Sequence, residues 1–429
     1  MAISILVTGD IHIGKKSTGI NTDSNVLATK FTWQKIVDYV IKNKIDVLAL
    51  TGDVVDQNNR FFEAIGPLHA GFEKLKNEGI EVFMVAGNHD FDVLPQLVDS
   101  DRYENIHLLG KDGTWEVKEY AKNEEKIQFV GWSFPSKHFA ESPFLKYKLD
   151  QVNITLPTIG LLHGDVDVPE SSYAPIDKSS FNNKNVNAWF LGHIHKPDCL
   201  RDFNPMVYYP GSPHALSAKE TGIHGPMLVT VNSQNSIETK AIPLSPVRYK
   251  SIDIDVTDQT TEADVRNVMT STLYADANAK INELENTSFL VYDIYFVGQH
   301  NNIQDLKNWT EPSIESYSQE INETKISIRK IKYHVKPKID NLEELALESS
   351  PAGILAKTIV ALEKGETTPF SDKLLEKWKK IHQKTYQSSV YNPIIESENV
   401  KSPDTEIQNQ YLLTECNRIL TTLIEQQNQ

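Results

Sequence analysis

Residues 3–12 read ISILVTGDIH. Ile3–Val7 form an apolar, β-favouring run, and the chain then meets Gly9 and delivers Asp10 and His12. The arrangement recurs twice downstream. Asp46–Leu50 reads as a strand followed by Gly52-Asp53, and Glu81–Val85 as a strand followed by Gly87-Asn88-His89-Asp90. Between these strands, Thr29–Lys42 and Phe61–Asn77 have the apolar spacing of amphipathic helices. A βαβα order predicts an α/β fold with a largely parallel sheet and helices outside it.

Beyond residue 126 the strand candidates continue with fewer helices: Ile127–Gly131, Thr158–Leu162, Ala188–Leu191, Met206–Tyr209 and Met227–Val231. They predict a second sheet packed on the first. Two of them end in further polar motifs, His163-Gly164-Asp165 and Gly192-His193-Ile194-His195. Pro243 and Pro246 mark a boundary, so residues 1–245 are expected to form one domain. Residues 246–340 read as a small α/β module: Ser251–Val256, Glu262–Leu273, Phe289–Phe296, Asn302–Trp309 and Lys325–His334. Pro337 and the acidic run Asp340–Glu348 close it, and residues 341–429 are expected to be helical. There Ile354, Leu355, Ile359, Val360 and Leu362 make one apolar face, and Leu412, Ile419, Leu420, Leu423 and Ile424 another. Such a face either packs on its own chain or docks another.

The chain has 429 residues, enough for two or three domains. Its formal net charge of -15 argues against a free-standing DNA-binding domain, which usually carries a basic face, but not against an enzyme that holds metal with carboxylates. Two cysteines make no disulfide framework and point to a reducing compartment. No apolar run approaches the ~20 residues that span a bilayer. The start of the chain lacks the basic region of a signal peptide, so a cytoplasmic location is expected. Ten of the 13 histidines precede residue 250, which places the chemistry in the first part.

The five motifs share a chemistry. Loops after the C-terminal ends of parallel strands are where α/β folds build sites. Asp10 and His12, two apart on an extended segment, point to one side, and His193 and His195 repeat that geometry. Imidazole nitrogen beside carboxylate and amide oxygen suits divalent ions of borderline hardness. With Asp53, Asn88 and His163 the set has seven ligands, too many for one ion and suited to two that share a carboxylate. A lone Gly-Asp is ordinarily a turn, and it is the ordered set of five motifs that carries the reading.

In that order and spacing the motifs resemble the calcineurin-like metallophosphoesterases, and within them the SbcD and YhaO-like nucleases related to the meiotic-recombination nuclease. Supporting stretches are Tyr173-Ala174-Pro175, Leu191–Pro197, Tyr209-Pro210-Gly211-Ser212-Pro213 and Lys219-Glu220-Thr221-Gly222. The resemblance covers about residues 1–235. It implies an α/β/β/α two-sheet sandwich with a small α/β capping domain and a helical tail. Asp10, His12, Asp53 and His195 would bind one ion, and Asp53, Asn88, His163 and His193 the other, with Asp53 bridging. The ions would be manganese in the first instance, with magnesium or another divalent ion as substitutes. His89 would be the catalytic histidine, beside the phosphorus and assisting the leaving oxygen of an in-line attack by water. The substrate would be DNA ends or hairpins. The helical tail would dock on an SMC-like ATPase of the SbcC type, and the chain would be a homodimer. Two divalent ions would bring about +4 of charge that the formal count omits. The alternative is a phosphoesterase acting on cyclic nucleotides or other small phosphate esters, and a third reading is a scaffold with a degenerate site.

Asp56 stands where the archaeal and eukaryotic relatives carry histidine; it either hydrogen-bonds near the ions or caps a helix. Asp90 either orients His89 or caps the following turn. Asp165 is expected to serve its loop, Cys199 to be a small buried side chain rather than a soft ligand, and His214 and His224 to contact phosphate or fill space. Two basic stripes, Lys325–Lys338 and Lys373–Lys384, are either solvated faces or DNA contacts.

Overall fold

A computed structural model of the chain describes residues 2–58, 64–98, 103–148, 152–232, 236–337, 342–386 and 405–427. The fold comprises two compact units. The first is Met1–Ile252 with Leu273–Asp293 and Ser313–Lys330; the second is Asp253–Thr272 with Ile294–Pro312 and Ile331–Gln429.

In chain order the strands of the first two sheets are β1 (Ile3–Thr8), β2 (Val47–Leu50), β3 (Glu81–Met84), β4 (Ile106–Leu108), β5 (Glu116–Lys122) and β6 (Glu125–Gly131). They continue with β7 (Thr158–His163), β8 (Ala188–Gly192), β9 (Asp198–Arg201), β10 (Met206–Tyr209), β11 (Met227–Val231) and β12 (Ile237–Ala241). One sheet has the order β12-β11-β1-β2-β3-β4 and the other β5-β6-β7-β8-β10-β9. The four strands β1 to β4 run parallel, as do β6, β7, β8 and β10, so both sheets are parallel at their centres. This is the α/β sandwich that the alternating pattern predicts. The strands that pattern does not show are β4, β5, β9 and β12, which are short or lie at sheet edges.

The helices follow from spacing. Helix Thr29–Lys42 buries Trp33, Ile36, Val37 and Val40, and Ile65–Asn77 buries Leu68, Phe72 and Leu75. Both stripes recur at three and four residues, the geometry of one helix face. They pack on the outer face of the first sheet, with Trp33 edge-on to Phe72 at 5.7 Å. The first three residues of the expected helix from Phe61 lie outside the described residues. Between the sheets lie Ile5, Val7, Ala49 and Phe83 from one side and Phe129, Ile159, Leu161 and Phe190 from the other. The Phe83 and Phe129 rings stack at 4.1 Å. The outer face of the second sheet is covered by aromatic-rich loops and the short 3₁₀ turns Pro143–Lys146 and Lys178–Phe181, around Trp132, Trp189, Phe134 and Phe144.

A third sheet, order β13-β14-β16-β15, contains β13 (Val247–Asp255), β14 (Phe289–His300), β15 (Gln319–Ile321) and β16 (Thr324–Pro337). Within the first unit, Val247, Tyr249, Phe289 and Val291 pack with Leu27 and Ala215, and the Tyr249 hydroxyl donates to the Thr18 carbonyl. In the basic stripe of β16, Arg329 is neutralised by Asp293.

The second unit holds helices Pro351–Glu363, Pro369–Tyr386 and Thr405–Gln427. The first begins where Ser350 caps the Gly353 N–H and Pro351 takes a position that needs no donor. Leu355, Ala356 and Ile359 bury against Cys416 and Leu420, so the two expected apolar faces cover each other. Ile354 and Ile419, by contrast, stay partly exposed. Among the described residues no helix is long and apolar enough to cross a membrane.

Candidate metal centre

All five motifs leave parallel strands at their C-terminal ends: Asp10 and His12 after β1, Asp53 after β2, Asn88 and His89 after β3, His163 at the end of β7, and His193 and His195 after β8. The backbone there is bent into unusual shapes. Asp10 (φ 49°), His12 (φ 48°), Asp53 (φ 50°) and His193 (φ 97°) adopt left-handed conformations. Side chains with a Cβ pay about 1–3 kcal/mol for such positions, which persist where the surroundings over-determine them and cluster at functional sites.

The surroundings are mutual. The Asp10 N–H donates to the Gly52 carbonyl (2.9 Å) and the His12 N–H to that of Asp53 (3.0 Å), joining the first two loops. Both oxygens of Asp10 accept from the His193 N–H, at 2.9 and 3.0 Å. Asp53 Oδ1 accepts from the His89 N–H at 2.9 Å. Asp90 accepts from the N–H groups of Val54 (2.7 Å), Gly87 (2.8 Å) and Val55 (3.3 Å). Its carboxylate is thereby committed to bracing the loops that carry Asp53 and Asn88, which replaces both roles weighed for it from the sequence.

Three close-set groups of donor atoms result: His12, Asp56 and His89 form one, and the other two share Asp10. In one of those two, Asp10, His12 and His195 converge, with His12 Nε2 and His195 Nε2 facing each other at 3.1 Å. In the other, Asp10, Asp53 and His163 converge, and His163 Nε2 also faces Asn88 Oδ1 at 3.1 Å. Asp53 Oδ2 lies 3.5 Å from His163 Nε2 and 3.8 Å from His12 Nε2, and so stands between the two groups. The Nδ1–H of His163 donates to the Thr51 carbonyl (3.0 Å), which leaves a lone pair on Nε2.

These atoms fit divalent ions. Burial, helped by the charge of Lys15, holds His12 well below the usual imidazole range, and burial lowers His163; both rings are therefore neutral and able to coordinate. Burial also pushes Asp10 above the usual carboxylate range, a cost that a bound cation removes. His193 is arranged differently. Its Nε2 lies 3.4 Å from Asp165 Oδ2, which leaves Nδ1 for an ion. Burial opposes charging of His193 and His195, but the carboxylates of Asp165 and Glu220 outweigh it and raise both. Asp165 thus supports a site histidine, beyond the loop role expected of it.

The His89 side chain is 29% exposed and that of His195 26%, while those of His12, Asp53 and His163 are buried. His89 Nε2 is 3.9 Å from Asp53 Oδ2 and its Nδ1 3.6 Å from Asp56 Oδ1. Asp56 Oδ1 is also 3.0 Å from Lys15 Nζ and 3.8 Å from His12 Nδ1. Burial works against ionisation of Asp56, yet the nearby His89 ring and Lys15 ammonium hold it down to about 2. Asp56 therefore lies beside the candidate ligands, and its Oδ2 also accepts from the Asn58 N–H at 3.2 Å.

Other expectations change. Cys199 is exposed on edge strand β9, not a small buried side chain. His214 is fully buried between Ser17 Oγ and Thr32 Oγ1, each at 2.7 Å, which makes it a core brace and removes it from any phosphate. His224 is also buried and donates through Nδ1 to the Ser212 carbonyl at 2.8 Å. Sequence reasoning assigned no role to Glu220, whose Oε1 lies 3.1 Å from His195 Nδ1.

Gly192 shows how tightly the centre is packed. A Cβ there would lie 2.2 Å from the Thr51 carbonyl oxygen and 2.6 Å from His163 Nδ1. Gly192→Ala is expected to break the bond that orients His163. The expected result is at least a 10-fold loss of affinity for one of two ions, read by manganese titration, with a lowered melting temperature.

Residues 3–197 match the calcineurin-like phosphoesterase family. The chain is similar to an uncharacterised metallophosphoesterase, YhaO, of Bacillus subtilis, with 30% identity over 266 residues that cover 60% of this chain and 64% of the relative. It is similar to the DNA double-strand break repair protein Mre11 of Methanopyrus kandleri at 23% identity, covering 60% of each chain. It also resembles a component of the nuclease SbcCD of Staphylococcus epidermidis at 22% identity, covering 57% of this chain and 71% of the relative. The chain thus spans less than two thirds of the length of the first two relatives.

Proposed function

From the premise that residues 3–197 form a calcineurin-like metallophosphoesterase domain, we propose that the chain is a manganese-dependent nuclease subunit hydrolysing phosphodiester bonds at DNA ends or hairpins. The observation that carries this reading is the pair of converging donor groups with Asp53 Oδ2 between them. Asp10, His12, Asp53 and His195 would hold one ion, and Asp53, Asn88, His163 and His193 the other. Two divalent ions so bound would lower the pKa of water and neutralise charge on the phosphoryl oxygens. The rest falls to the chain. Asp53 keeps the two groups in register while its Oδ1 fixes the backbone of His89. The Asp56 carboxylate faces Nδ1 of His89 and leaves Nε2 to give a proton to the leaving oxygen. His89, His193 and His195 are the partly exposed side chains of the centre, and they set the side from which a phosphodiester would enter.

DNA as substrate is supported by the similarity to the double-strand break repair protein and the SbcCD component. In the second unit, Phe370, Leu374, Trp378, Tyr411, Leu412 and Ile419 line an apolar groove of about 840 Å³ between helices Pro369–Tyr386 and Thr405–Gln427. That surface is where an apolar helix of an SMC-like ATPase would dock, and the phosphoesterase domain would pair with a second copy.

The experiment is a substrate panel with manganese, run with and without the ATPase: linear duplex DNA, hairpin DNA, a cyclic nucleotide and bis-p-nitrophenyl phosphate. Cleavage of the DNA substrates is the expected result. Turnover of the small esters alone, with the ATPase present, overturns the DNA reading in favour of a small-ester phosphoesterase.

A further inference from the structure

The loop that follows β10 passes behind His195 and is fastened to it twice. The Ser212 N–H donates to the His195 carbonyl at 2.8 Å, and the Glu220 carboxylate meets the ring. The two oxygens of that carboxylate are differently employed. Oε2 accepts from the Leu216 N–H (2.8 Å) and from Ser212 Oγ (3.1 Å). Oε1 faces His195 Nδ1 at 3.1 Å. The other ring nitrogen, Nε2, faces His12 Nε2 at 3.1 Å in the group that also contains Asp10. A carboxylate accepts and does not donate, so the atom against Oε1 must be an N–H. With the proton on Nδ1, the lone pair of a neutral imidazole lies on Nε2.

We propose that Glu220 is a positioning residue for the metal centre: it holds His195 in the Nδ1–H form and dedicates Nε2 to the ion that His195 shares with Asp10 and His12. The inference rests on reading Asp10, His12, Asp53 and His195 as the ligands of one ion. Carboxylates placed behind a ligating imidazole fix its tautomer and raise its basicity, and their loss typically costs 10–100-fold in metal affinity. Leu216, Ser212 and Glu220 all lie on the loop between β10 and β11, so its fold sets the strength of one ion site.

Glu220→Gln separates positioning from packing. The side chain keeps its size, and its single oxygen is drawn to the position that receives two donors, from Leu216 and Ser212. The amide NH₂ then faces His195 Nδ1, which must accept, and the ring proton moves to Nε2. Two readouts on the full chain follow. Manganese titration is expected to show two ions in the wild type. In Glu220→Gln one is weakened about 10–100-fold and the other is unchanged, which also reports an intact fold. Nitrogen NMR of the histidines is expected to show His195 as Nδ1–H in the wild type and as Nε2–H in the variant. An unmoved tautomer with both affinities at wild-type values overturns the proposal. So does equal weakening of both ions together with a lower melting temperature, the mark of a merely structural role. His195→Ala isolates the premise: if that variant still binds both ions at wild-type affinity, the ligand assignment fails whatever Glu220 does.

Discussion

Asp53→Asn is expected to abolish phosphodiester cleavage while leaving the fold intact. The substitution is nearly isosteric, and Asn Oδ1 still accepts the His89 N–H now bonded at 2.9 Å. What disappears is the negative charge at the Oδ2 position, which stands 3.5 Å from His163 Nε2 and 3.8 Å from His12 Nε2. A neutral amide there cannot serve both donor groups as a shared anionic ligand. Paired metal ions are worth several kcal/mol of charge stabilisation in such reactions. At 1.36 kcal/mol per tenfold change, a drop in kcat on the order of 10³-fold or more follows. Stability moves the other way. Asp53 repels Asp10 in the buried centre, adding to the burial that raises Asp10. Without metal, the variant should melt at or above the wild-type temperature, but it should lose the increase in melting temperature that manganese gives the wild type. Full activity in Asp53→Asn, or a collapsed fold, would contradict this account.

His89→Ala is expected to lower cleavage of DNA by about 10²–10⁴-fold, the range of a positioned proton donor. Both ions should still bind, because each of the two groups that contain Asp10 is complete without His89, whose own group is with His12 and Asp56. The loss should depend on the leaving group. The leaving group of bis-p-nitrophenyl phosphate is a stable nitrophenolate that needs little protonation, so its turnover should fall far less than that of DNA. Equal losses on both substrates would assign His89 to holding phosphate rather than to proton transfer. Loss of an ion in this variant would show that it is a ligand.

Much of this was legible in the residue order. Strands β1, β2, β3, β7 and β8 are mostly apolar runs because nearly all of their residues are buried, and such runs stand out. Polar residues directly after such strands fall at one end of a parallel sheet, so the motifs could be assembled without coordinates. Strand β5 reads EVKEYAK and is mostly exposed, so no apolar pattern marks it. Cys199 lies on β9, whose four residues are exposed or half-buried, and its neighbourhood in the sequence carries no sign of that. Asp90, Asp165 and Glu220 are the instructive cases. Each carboxylate lies within a motif or signature, but its partner is chosen by packing between loops. Asp90 reaches Val54 across 36 residues, and Glu220 reaches His195 across 25. The Gly-rich spacing reveals which groups gather at the strand ends; which of them ligate and which hold the ligands depends on tertiary distances.

The most direct measurement of the central claim is anomalous diffraction from crystals of the full chain soaked in manganese. Two peaks are predicted, with Asp53 touching both; Asp10, His12 and His195 surround one, and Asn88, His163 and His193 the other. A single peak, or two peaks of which one does not touch Asp53, would contradict the account.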